Sequence, residues 1–237
     1  MLIAALATDY DGTLAREGKV AASTLSALER LKASGRKLIM VTGRELPDLR
    51  RVFPEVAAFD AVVAENGALI WRPDSGEPQA LAPAPPPAFI AALRARGVEP
   101  LAVGQVIVAS ADENAPVMAE TLREMGLDWR LILNKDSVMC LPPGVDKASG
   151  LRAALAALGL CAENLLGVGD AENDLAFLTV CGVSAAVANA LPDVKAAADI
   201  VTPKDDGVGV AWLIERLLED PESFAALARK PAKIAAQ

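Results

Sequence analysis

From Leu2 to Thr13 the sequence reads LIAALATDYDGT, an apolar run of strand length that leads directly into two aspartates, a glycine and a threonine. A continuous apolar run is typical of a strand buried on both faces, as in a parallel sheet. Ligands bind at the carboxyl ends of the strands in open α/β sheets, so Asp9 and Asp11 are predicted at the edge of a site. Gly12 allows the backbone to turn sharply directly after them.

The two aspartates admit two interpretations. Carboxylates this close together repel each other unless a positive charge lies between them, and a hard cation with oxygen ligands, most often Mg²⁺, supplies that charge. The alternative is an ordinary turn, because Asp and Gly are common turn formers. Residues further along the chain are needed to choose between the two.

Composition and charge narrow the range of functions. The chain has 237 residues, is 53% hydrophobic, carries a net charge of −8 and contains no histidine. An acidic chain without a block of Lys and Arg is a poor candidate for nucleic-acid binding. Because the commonest general base is missing, any catalysis must use carboxylates, Lys, Ser/Thr or Cys.

The cysteines and the apolar segments predict the compartment. Cys140, Cys161 and Cys181 are widely spaced and odd in number, which favours reduced thiols in a cytosolic protein. The apolar start of the chain lacks the positive leader of a signal peptide and runs into Asp9. No apolar run approaches the length needed to span a membrane. A soluble, cytoplasmic protein is therefore expected.

The first third of the chain alternates strands and helices. The predicted elements are strands over 37–41, 61–64 and 68–71 and helices over 23–34 and 45–53. Ser23 is the predicted N-cap of the first helix. The last of these strands returns as a hairpin from a turn at Glu65-Asn66-Gly67. Strand, helix, strand, helix, strand is the pattern of a doubly wound parallel sheet, an α/β fold.

A proline-rich segment over 72–87 interrupts this pattern and predicts a stiff linker without strands. Beyond it an α+β unit is predicted, with helices over 88–96 and 114–125 and strands over 105–109, 129–133 and 137–141. The parallel sheet then resumes, with strands over 165–169, 183–187 and 200–201 and helices over 145–158, 175–180, 193–198, 208–218 and 222–230. The predicted division is a first core segment over 1–82, an inserted unit over 83–143 and a second core segment over 144–237, frayed over 231–237.

Four polar clusters follow predicted strands or begin a helix: Asp9-Tyr10-Asp11-Gly12-Thr13, Val41-Thr42-Gly43-Arg44, Lys147, and Gly169-Asp170-Ala171-Glu172-Asn173-Asp174. In them the chain resembles the haloacid dehalogenase-like superfamily of phosphotransferases, whose last motif is Gly-Asp-x-x-Asn-Asp. The resemblance covers essentially the whole chain. It implies a Rossmann-like core and, between the second and third clusters, the small class-two α+β cap of the Cof-type branch, as in phosphoglycolate, sucrose-phosphate and mannosyl-phosphoglycerate phosphatases.

The resemblance implies a role for each carboxylate. Asp9 would attack phosphorus and form an aspartyl-phosphate, since an ionised carboxylate needs no base. Asp11 would protonate the leaving alcohol and then activate water. An aspartate at this position favours a phosphatase or phosphomutase over an ATPase. Mg²⁺ would be held by Asp9, the Asp11 backbone carbonyl, Asp170 and Asp174, although Asp174 also fits a simple role at the start of the following helix.

Further residues are predicted to contact the substrate. Thr42 and Lys147 would hold phosphoryl oxygens during transfer, but Thr42 also fits a helix N-cap and Lys147 a solvated surface lysine. The other predicted substrate contacts are Gly43, Arg44, Asn66 and Asn173.

Alternatives stay open for several of these contacts. Arg44 fits a structural role at a helix start, and Asn66 with Gly67 fits the tight turn of a hairpin. In the cap, the turn at Asn134-Lys135-Asp136, with Arg130 nearby, is the candidate for substrate selection, against the alternative of a solvated turn.

The predicted function is a Mg²⁺-dependent phosphatase that acts on a small phosphorylated metabolite, either a sugar phosphate or a phosphoglycolate-like acid. Two alternatives remain: a phosphomutase of the same superfamily, and a non-catalytic module that binds a phosphometabolite. The expected partner is the small-molecule substrate, without nucleic acid or membrane, and the chain is expected to be a monomer or a homodimer.

Overall fold

The structure, a computed structural model, describes residues 3–134 and 136–228. In the first part of the chain the elements are β1 (Ala5–Thr8), α1 (Ala22–Ala33), β2 (Lys37–Val41), α2 (Leu46–Val52), β3 (Ala61–Ala64), β4 (Leu69–Trp71) and β5 (Gln79–Ala80). The middle part contains α3 (Pro87–Ala95), β6 (Leu101–Val103), β7 (Val108–Ala111), α4 (Ala115–Glu124), β8 (Arg130–Asn134) and β9 (Ser137–Leu141).

The last part contains α5 (Lys147–Leu158), β10 (Leu165–Gly169), α6 (Leu175–Leu178), β11 (Val183–Ala186), α7 (Pro192–Ala197), β12 (Ile200–Val201), α8 (Asp206–Glu219) and α9 (Pro221–Ala228). Short 3₁₀ turns occupy Pro54–Ala58, Glu65–Gly67, Asp112–Asn114, Ala162–Asn164 and Glu172–Asp174. None of the described helices is both long enough and apolar enough to cross a membrane.

The larger sheet has eight strands in the order β12-β11-β10-β1-β2-β3-β4-β5. The strands from β12 to β3 are parallel, whereas β4 and β5 are antiparallel additions at one edge. Strand β1 lies between β2 and β10, so the chain winds away from β1 in both directions. The predicted doubly wound α/β fold is therefore confirmed, and the crevice that such a reversal creates lies beyond the end of β1.

The interior of this sheet explains why its strands are continuously apolar. All four residues of β1 are buried, as are those of β3 and β10, because helices cover both faces. Leu6 is completely buried, and burial of a leucine side chain contributes roughly 1.5–3 kcal/mol. Helix α1 packs against α8, and α5 packs against β3 and β4.

The smaller sheet is antiparallel, in the order β6-β7-β9-β8. Its own hydrophobic cluster includes Phe89 of α3, Met118 of α4 and Cys140 of β9. A second cluster, which includes Ile107 and Met139, lies where this unit contacts the turn after β3. All four strands fall within 83–143, the range predicted for the inserted unit, and we keep these boundaries as a proposal and call this range the cap.

Several local predictions were wrong. Helix α1 begins one residue earlier than predicted and its N-cap is Ala21, not Ser23. The segment over 72–87 contains the short strand β5, which pairs with β4. The predicted strand over 105–109 is instead a turn that leads into β7, and the cap has an additional strand, β6. The predicted frayed end over 231–237, and the end of the last helix at 229–230, lie outside the described residues.

Candidate active site

The candidate site lies at the carboxyl ends of four neighbouring strands. Asp9 follows β1, Thr42 follows β2, Glu65 follows β3 and Asp170 follows β10. These strands are adjacent in the sheet, so residues far apart in sequence meet at one edge.

Lys147 connects two carboxylates at this edge. Its Nζ donates to Oδ1 of Asp9 at 2.7 Å and to Oδ1 of Asp174 at 2.6 Å. The lysine is the first residue of α5, and Asp146 fixes this helix start by accepting a bond from the backbone N–H of Ser149 at 2.7 Å. With 2% of its surface exposed, Lys147 is not a solvated surface lysine, and that alternative is excluded.

Asp9, Asp170 and Asp174 form a buried acidic cluster. One carboxylate oxygen of each lies within 4.8 Å of the others, a spacing that could hold a metal ion. Asp170 also accepts a hydrogen bond at 2.8 Å from the hydroxyl of Thr13, the last residue of the first cluster. Three carboxylates with one ammonium have a formal charge of −2, which a divalent oxygen-binding cation would balance.

Asp174 has a second function in this cluster. Its Oδ2 accepts the backbone N–H groups of Asp170 and Ala171 at 2.8 and 3.0 Å. Asp174 stands at the N-cap position of α6, but its side chain makes no cap hydrogen bond to that helix and instead closes the turn that precedes it. It holds Lys147 with one oxygen and the Asp170 loop with the other.

Burial shapes the ionisation of this cluster. Burial, together with the carboxylates of Asp174 and Asp170, raises the pKa of Asp9 well above its usual value, while Lys147 opposes the shift. Burial alone would lower the pKa of Lys147, but Asp174 and Asp9 outweigh it and raise that pKa above its ordinary value. The lysine therefore remains charged, and the cluster favours an additional cation or proton.

Asp11 is held by an arginine and does not belong to the buried cluster. Arg44 donates from Nε to Oδ2 of Asp11 at 2.6 Å and from Nη2 to Oδ1 at 2.7 Å, a bidentate pair. The third arm, Nη1, donates to Asp48 at 2.6 Å. These hydrogen bonds raise the pKa of Arg44 further, although burial opposes the shift.

Asp48 is itself held from two sides. Burial opposes its ionisation, but hydrogen bonds from Arg51 and Arg44 lower the pKa of Asp48 below its usual value. Asp48 therefore stays charged and keeps Arg44 in place. The arginine has a defined electrostatic role beyond a helix start.

Thr42 is buried beside this network. Its Oγ1 accepts the backbone N–H of Arg44 at 3.1 Å, and it does not cap α2, whose N-cap is Glu45. Among the described residues, no hydrogen bond donated by the Thr42 hydroxyl is found. The neighbouring Gly43 lies against Asn66 and Met139, close to the same edge.

Asn66 links the turn after β3 to the loop after β10. The backbone of Asn66 is left-handed, at a φ of 54°, and its Oδ1 accepts from Nδ2 of Asn173 at 3.1 Å. Its Nδ2 points to the sulfur of Met139 in the cap, at 3.1 Å. The Oδ1 of Asn173 is buried without a hydrogen-bond partner among the described residues.

A cavity of about 480 Å³ opens between the sheet edge and the cap. Residues of the core that line it include Asp9, Asp11, Gly43, Arg44, Glu45 and Asp48; the cap contributes Ala102, Ile107, Ala109, Ser137 and Met139. Arg130, the residue near the predicted selection turn, does not line this cavity. It donates to the carbonyl of Val145 and lines a separate cavity of about 240 Å³. Lys135 lies outside the described residues.

Three residues that contribute to this region, Thr13, Asp48 and Glu65, were not predicted from the sequence. Thr13 was part of the first cluster without an assigned role, and Asp48 stands four residues after Arg44, a spacing that brings charges together on a helix turn. Glu65 was assigned to a hairpin turn, but its side chain is buried against the cap. No sequence signal identifies that last contact, since its partners are backbone amides.

Fold and site together define an α/β protein with a doubly wound sheet, carboxylates at the strand ends and a cap above them. The sequence profile of the haloacid dehalogenase-like hydrolases matches residues 6–89 and 104–214. A phosphoglycolate phosphatase of Methanothermobacter thermautotrophicus is 31% identical over 220 residues, covering 90% of this chain and 98% of that relative. This chain belongs to the haloacid dehalogenase-like hydrolase family.

Solved structures agree with this assignment. A haloacid dehalogenase-like hydrolase from Bacteroides thetaiotaomicron superposes with a TM-score of 0.76 at 22% identity, covering 90% of this chain and 98% of that one. A sugar phosphatase of subclass IIB of the haloacid dehalogenase superfamily superposes with a TM-score of 0.71 at 20% identity, covering 91% and 98%. The predicted superfamily and the predicted enzyme class, a phosphatase of this family, are confirmed.

Proposed function

We propose that this phosphatase is Mg²⁺-dependent and hydrolyses a small phosphorylated metabolite through an aspartyl-phosphate formed on Asp9. The observation that carries the proposal is the pair of hydrogen bonds from Lys147 to Asp9 and Asp174, at the centre of a buried cluster with net negative charge. Such a cluster destabilises the folded chain when no counter-ion is bound. Charged groups in unfavourable surroundings are concentrated at functional sites, where they bind ligands or take part in catalysis.

The residues present fit a divalent metal. Asp9 and Asp170 would supply carboxylate oxygens, the backbone carbonyl of Asp11 a further oxygen, and Asp174 would hold the loop and join the ligands in part. All are oxygen donors, as Mg²⁺ requires. The bound ion would neutralise the repulsion between the Asp9 carboxylate and an anionic phosphate.

Asp9 is the nucleophile in this proposal. Burial opposes ionisation of Asp9, but Lys147 together with the proposed cation would favour its ionised form, so the carboxylate attacks phosphorus without a separate base. One O–P bond forms to Asp9 while the bond to the leaving alcohol breaks. Asp11 enters this step in its protonated form, delivers that proton to the alcohol and becomes the carboxylate that Arg44 holds. Asp11 then takes a proton from water, which attacks the aspartyl-phosphate and releases inorganic phosphate.

The phosphoryl oxygens are held by Thr42 and Lys147. An ammonium has three N–H donors, and two of those of Lys147 are engaged by carboxylates, which leaves one for a phosphoryl oxygen. The Thr42 hydroxyl donates its proton to a second oxygen. Gly43 and Asn173 both lie against the side chain of Asn66, near Thr42, and would supply further contacts to the phosphoryl group.

The substrate class follows from the cavity and from the relatives. A cavity of about 480 Å³ admits a small metabolite. Curated relatives are phosphoglycolate phosphatases, and one structural neighbour is a sugar phosphatase, so the proposed substrates are phosphoglycolate-like acids and sugar phosphates. Among the described residues that line this cavity, Arg44 is the one with a positive charge, and it would contact the leaving group.

The test is a panel of phosphorylated metabolites assayed for inorganic phosphate with and without Mg²⁺, using the native chain and Asp9→Asn. We expect release that requires the metal and is abolished in Asp9→Asn. Conversion to an isomer without phosphate release would identify a phosphomutase instead. Binding without any turnover would indicate a non-catalytic module.

A further inference from the structure

The carboxylate of Glu65 joins the turn after β3 to the cap. Its Oε1 accepts the backbone N–H of Gln105 at 2.9 Å, and its Oε2 accepts those of Val106 and Ile107 at 2.9 and 3.1 Å. The side chain is 1% exposed. Three consecutive amides that converge on one anion form a concave anion-binding arrangement, which here is filled by a carboxylate of the same chain.

The cap turn is shaped to admit this carboxylate. Gly104 donates its N–H to the carbonyl of Ile107 at 2.9 Å and so closes the turn. A Cβ at Gly104 would lie 2.6 to 2.8 Å from the carboxylate atoms of Glu65. A side chain at this position would therefore force the carboxylate to shift from its place among the three amides.

The backbone of Glu65 is hydrogen-bonded to the loop that follows β2. The N–H of Glu65 donates to the carbonyl of Arg44 at 3.0 Å, and the N–H of Asn66 donates to the carbonyl of Thr42, also at 3.0 Å. One residue thus connects the loop after β2, through its backbone, with the cap turn, through its side chain. Ile107 of that turn lines the cavity above Asp9 and Asp11.

From these contacts we infer that Glu65 is a positioning residue, which sets the placement of the cap over the site by binding three amides of its 104–107 turn. Removal of the carboxylate leaves three buried N–H groups without an acceptor, so the turn must move or admit water. Under the proposed function, the phosphoryl end of a substrate would lie against Asp9 of the core, and its leaving group would extend toward the cap residues that line the cavity. Loss of Glu65 should therefore weaken selection of the leaving group more than phosphoryl transfer itself.

Hydrogen exchange tests the placement without reference to catalysis. In Glu65→Ala, we expect the amides of residues 105–107 to exchange at least about tenfold faster than in the native chain. The amides whose hydrogen bonds pair β8 with β9 should keep their protection, because the cap stays folded. Glu65→Gln has a side chain of the same shape but only one acceptor oxygen. Its exchange rates at residues 105–107 should lie between those of the native chain and those of Glu65→Ala. Glu113→Gln, an exposed change of the same chemistry in the cap, is the matched control. Unchanged exchange at 105–107 in Glu65→Ala would overturn the inference.

Kinetics test the consequence for the reaction, and this part rests on the proposed function. The bulky leaving group of p-nitrophenyl phosphate would extend toward the cap, so Glu65→Ala should raise its KM by about tenfold or more. With acetyl phosphate, whose leaving group is small, kcat/KM should change by less than about threefold. An equal loss on both substrates, or no loss on either, refutes a positioning role. If the native chain hydrolyses neither, the proposed function fails, but the exchange result still stands.

A double variant separates the glycine from the fold. If Gly104 serves only to admit the carboxylate, Gly104→Ala should accelerate exchange at 105–107 about as much as Glu65→Ala does. In the Glu65→Ala background, Gly104→Ala should then add less than about a twofold further change. Full additivity of the two changes would show that they act independently and would contradict the assigned contact.

Discussion

Arg44 holds both carboxylate oxygens of Asp11, with Nε 2.6 Å from Oδ2 and Nη2 2.7 Å from Oδ1. Its remaining arm is fixed by Asp48, which Arg51 holds in turn. A planar guanidinium with two fixed contacts orients its partner in a way that a single ammonium does not. Asp11, the proposed acid and base, is thus oriented by Arg44, which is itself held in place by the side chains of α2.

Arg44→Lys should lower kcat/KM by about tenfold to a hundredfold, because the positive charge remains but the bidentate geometry is lost. Steady-state kinetics on the best substrate of the panel measure this loss. Arg50→Lys is the matched control: its guanidinium lies over the Trp71 ring at 5.0 Å, outside the cavity, and activity should change by less than about twofold. A wild-type kcat in Arg44→Lys would show that Asp11 needs no such orientation.

Asp9→Asn should remove activity and yet stabilise the chain when no metal is bound. Burial raises the pKa of Asp9, so in the metal-free protein its ionised form costs stability that grows as the pH rises through that pKa. Removal of the charge should therefore raise Tm at pH 7 by about 3 °C or more, for a gain of about 1 kcal/mol. Scanning calorimetry with and without Mg²⁺ measures the change.

The ion should reverse this ranking of stabilities. Saturating Mg²⁺ is expected to stabilise the native chain and to have much less effect on Asp9→Asn, because a ligand that binds the folded state raises Tm. Asp193→Asn makes the same chemical change at an exposed position and should shift Tm by less than about 1 °C. A native chain whose Tm is unaffected by Mg²⁺ would argue against a metal in the cluster.

Gly67→Ala should be strongly destabilising, since the turn after β3 packs directly on the start of α5. The φ of Gly67 is +101°, and an added Cβ would lie 1.8 Å from the carbonyl oxygen of Asp146, the N-cap of the helix that begins with Lys147. We expect a loss of more than about 3 kcal/mol in the free energy of unfolding, measured by urea denaturation.

A second glycine separates the clash from the backbone strain. Gly76 also has a positive φ, +87°, but nothing lies within 4 Å of an added Cβ. Gly76→Ala should therefore cost only about 1 kcal/mol, the price of a left-handed conformation alone. Equal losses for the two variants would mean that the contact with Asp146 is relieved without cost.

The buried strands and the carboxylates that follow them were predictable from the sequence, because burial on both faces leaves an apolar run that stops where the chain leaves the core. Asp9 and Asp170 are 161 positions apart, yet the strand pattern alone placed both at one edge. The contact between Glu65 and the cap was not predictable, since backbone amides have no residue signature. A strand was predicted over 105–109 because the side chains there are typical of strands. The backbone amides of Gln105, Val106 and Ile107 instead donate to the carboxylate of Glu65.

The three cysteines should differ sharply in reactivity. Cys161 is exposed, whereas Cys140 lies in the interior of the cap and Cys181 is partly buried in the core. Burial raises the pKa of the Cys140 thiol to about 12, and it also raises that of Cys181. Since the thiolate is the reactive form, iodoacetamide at pH 8 should modify Cys161 first in the folded chain, as mass spectrometry of the digested protein would show.

The same shift makes Cys140 a reporter of cap opening. Its pKa is higher in the folded chain than the value near 8.5 of an unfolded thiol, so the stability that it contributes is present in full below about pH 8.5 and is lost as the pH rises toward 12. Between pH 7 and 9, labelling of Cys140 should therefore stay slow and be limited by local unfolding, while labelling of Cys161 accelerates with pH. Cys161→Ala removes the fast reaction and leaves the slow one in isolation. If Cys140 in that variant reacted as fast as a free thiol, the cap could not be packed around it as the structure shows.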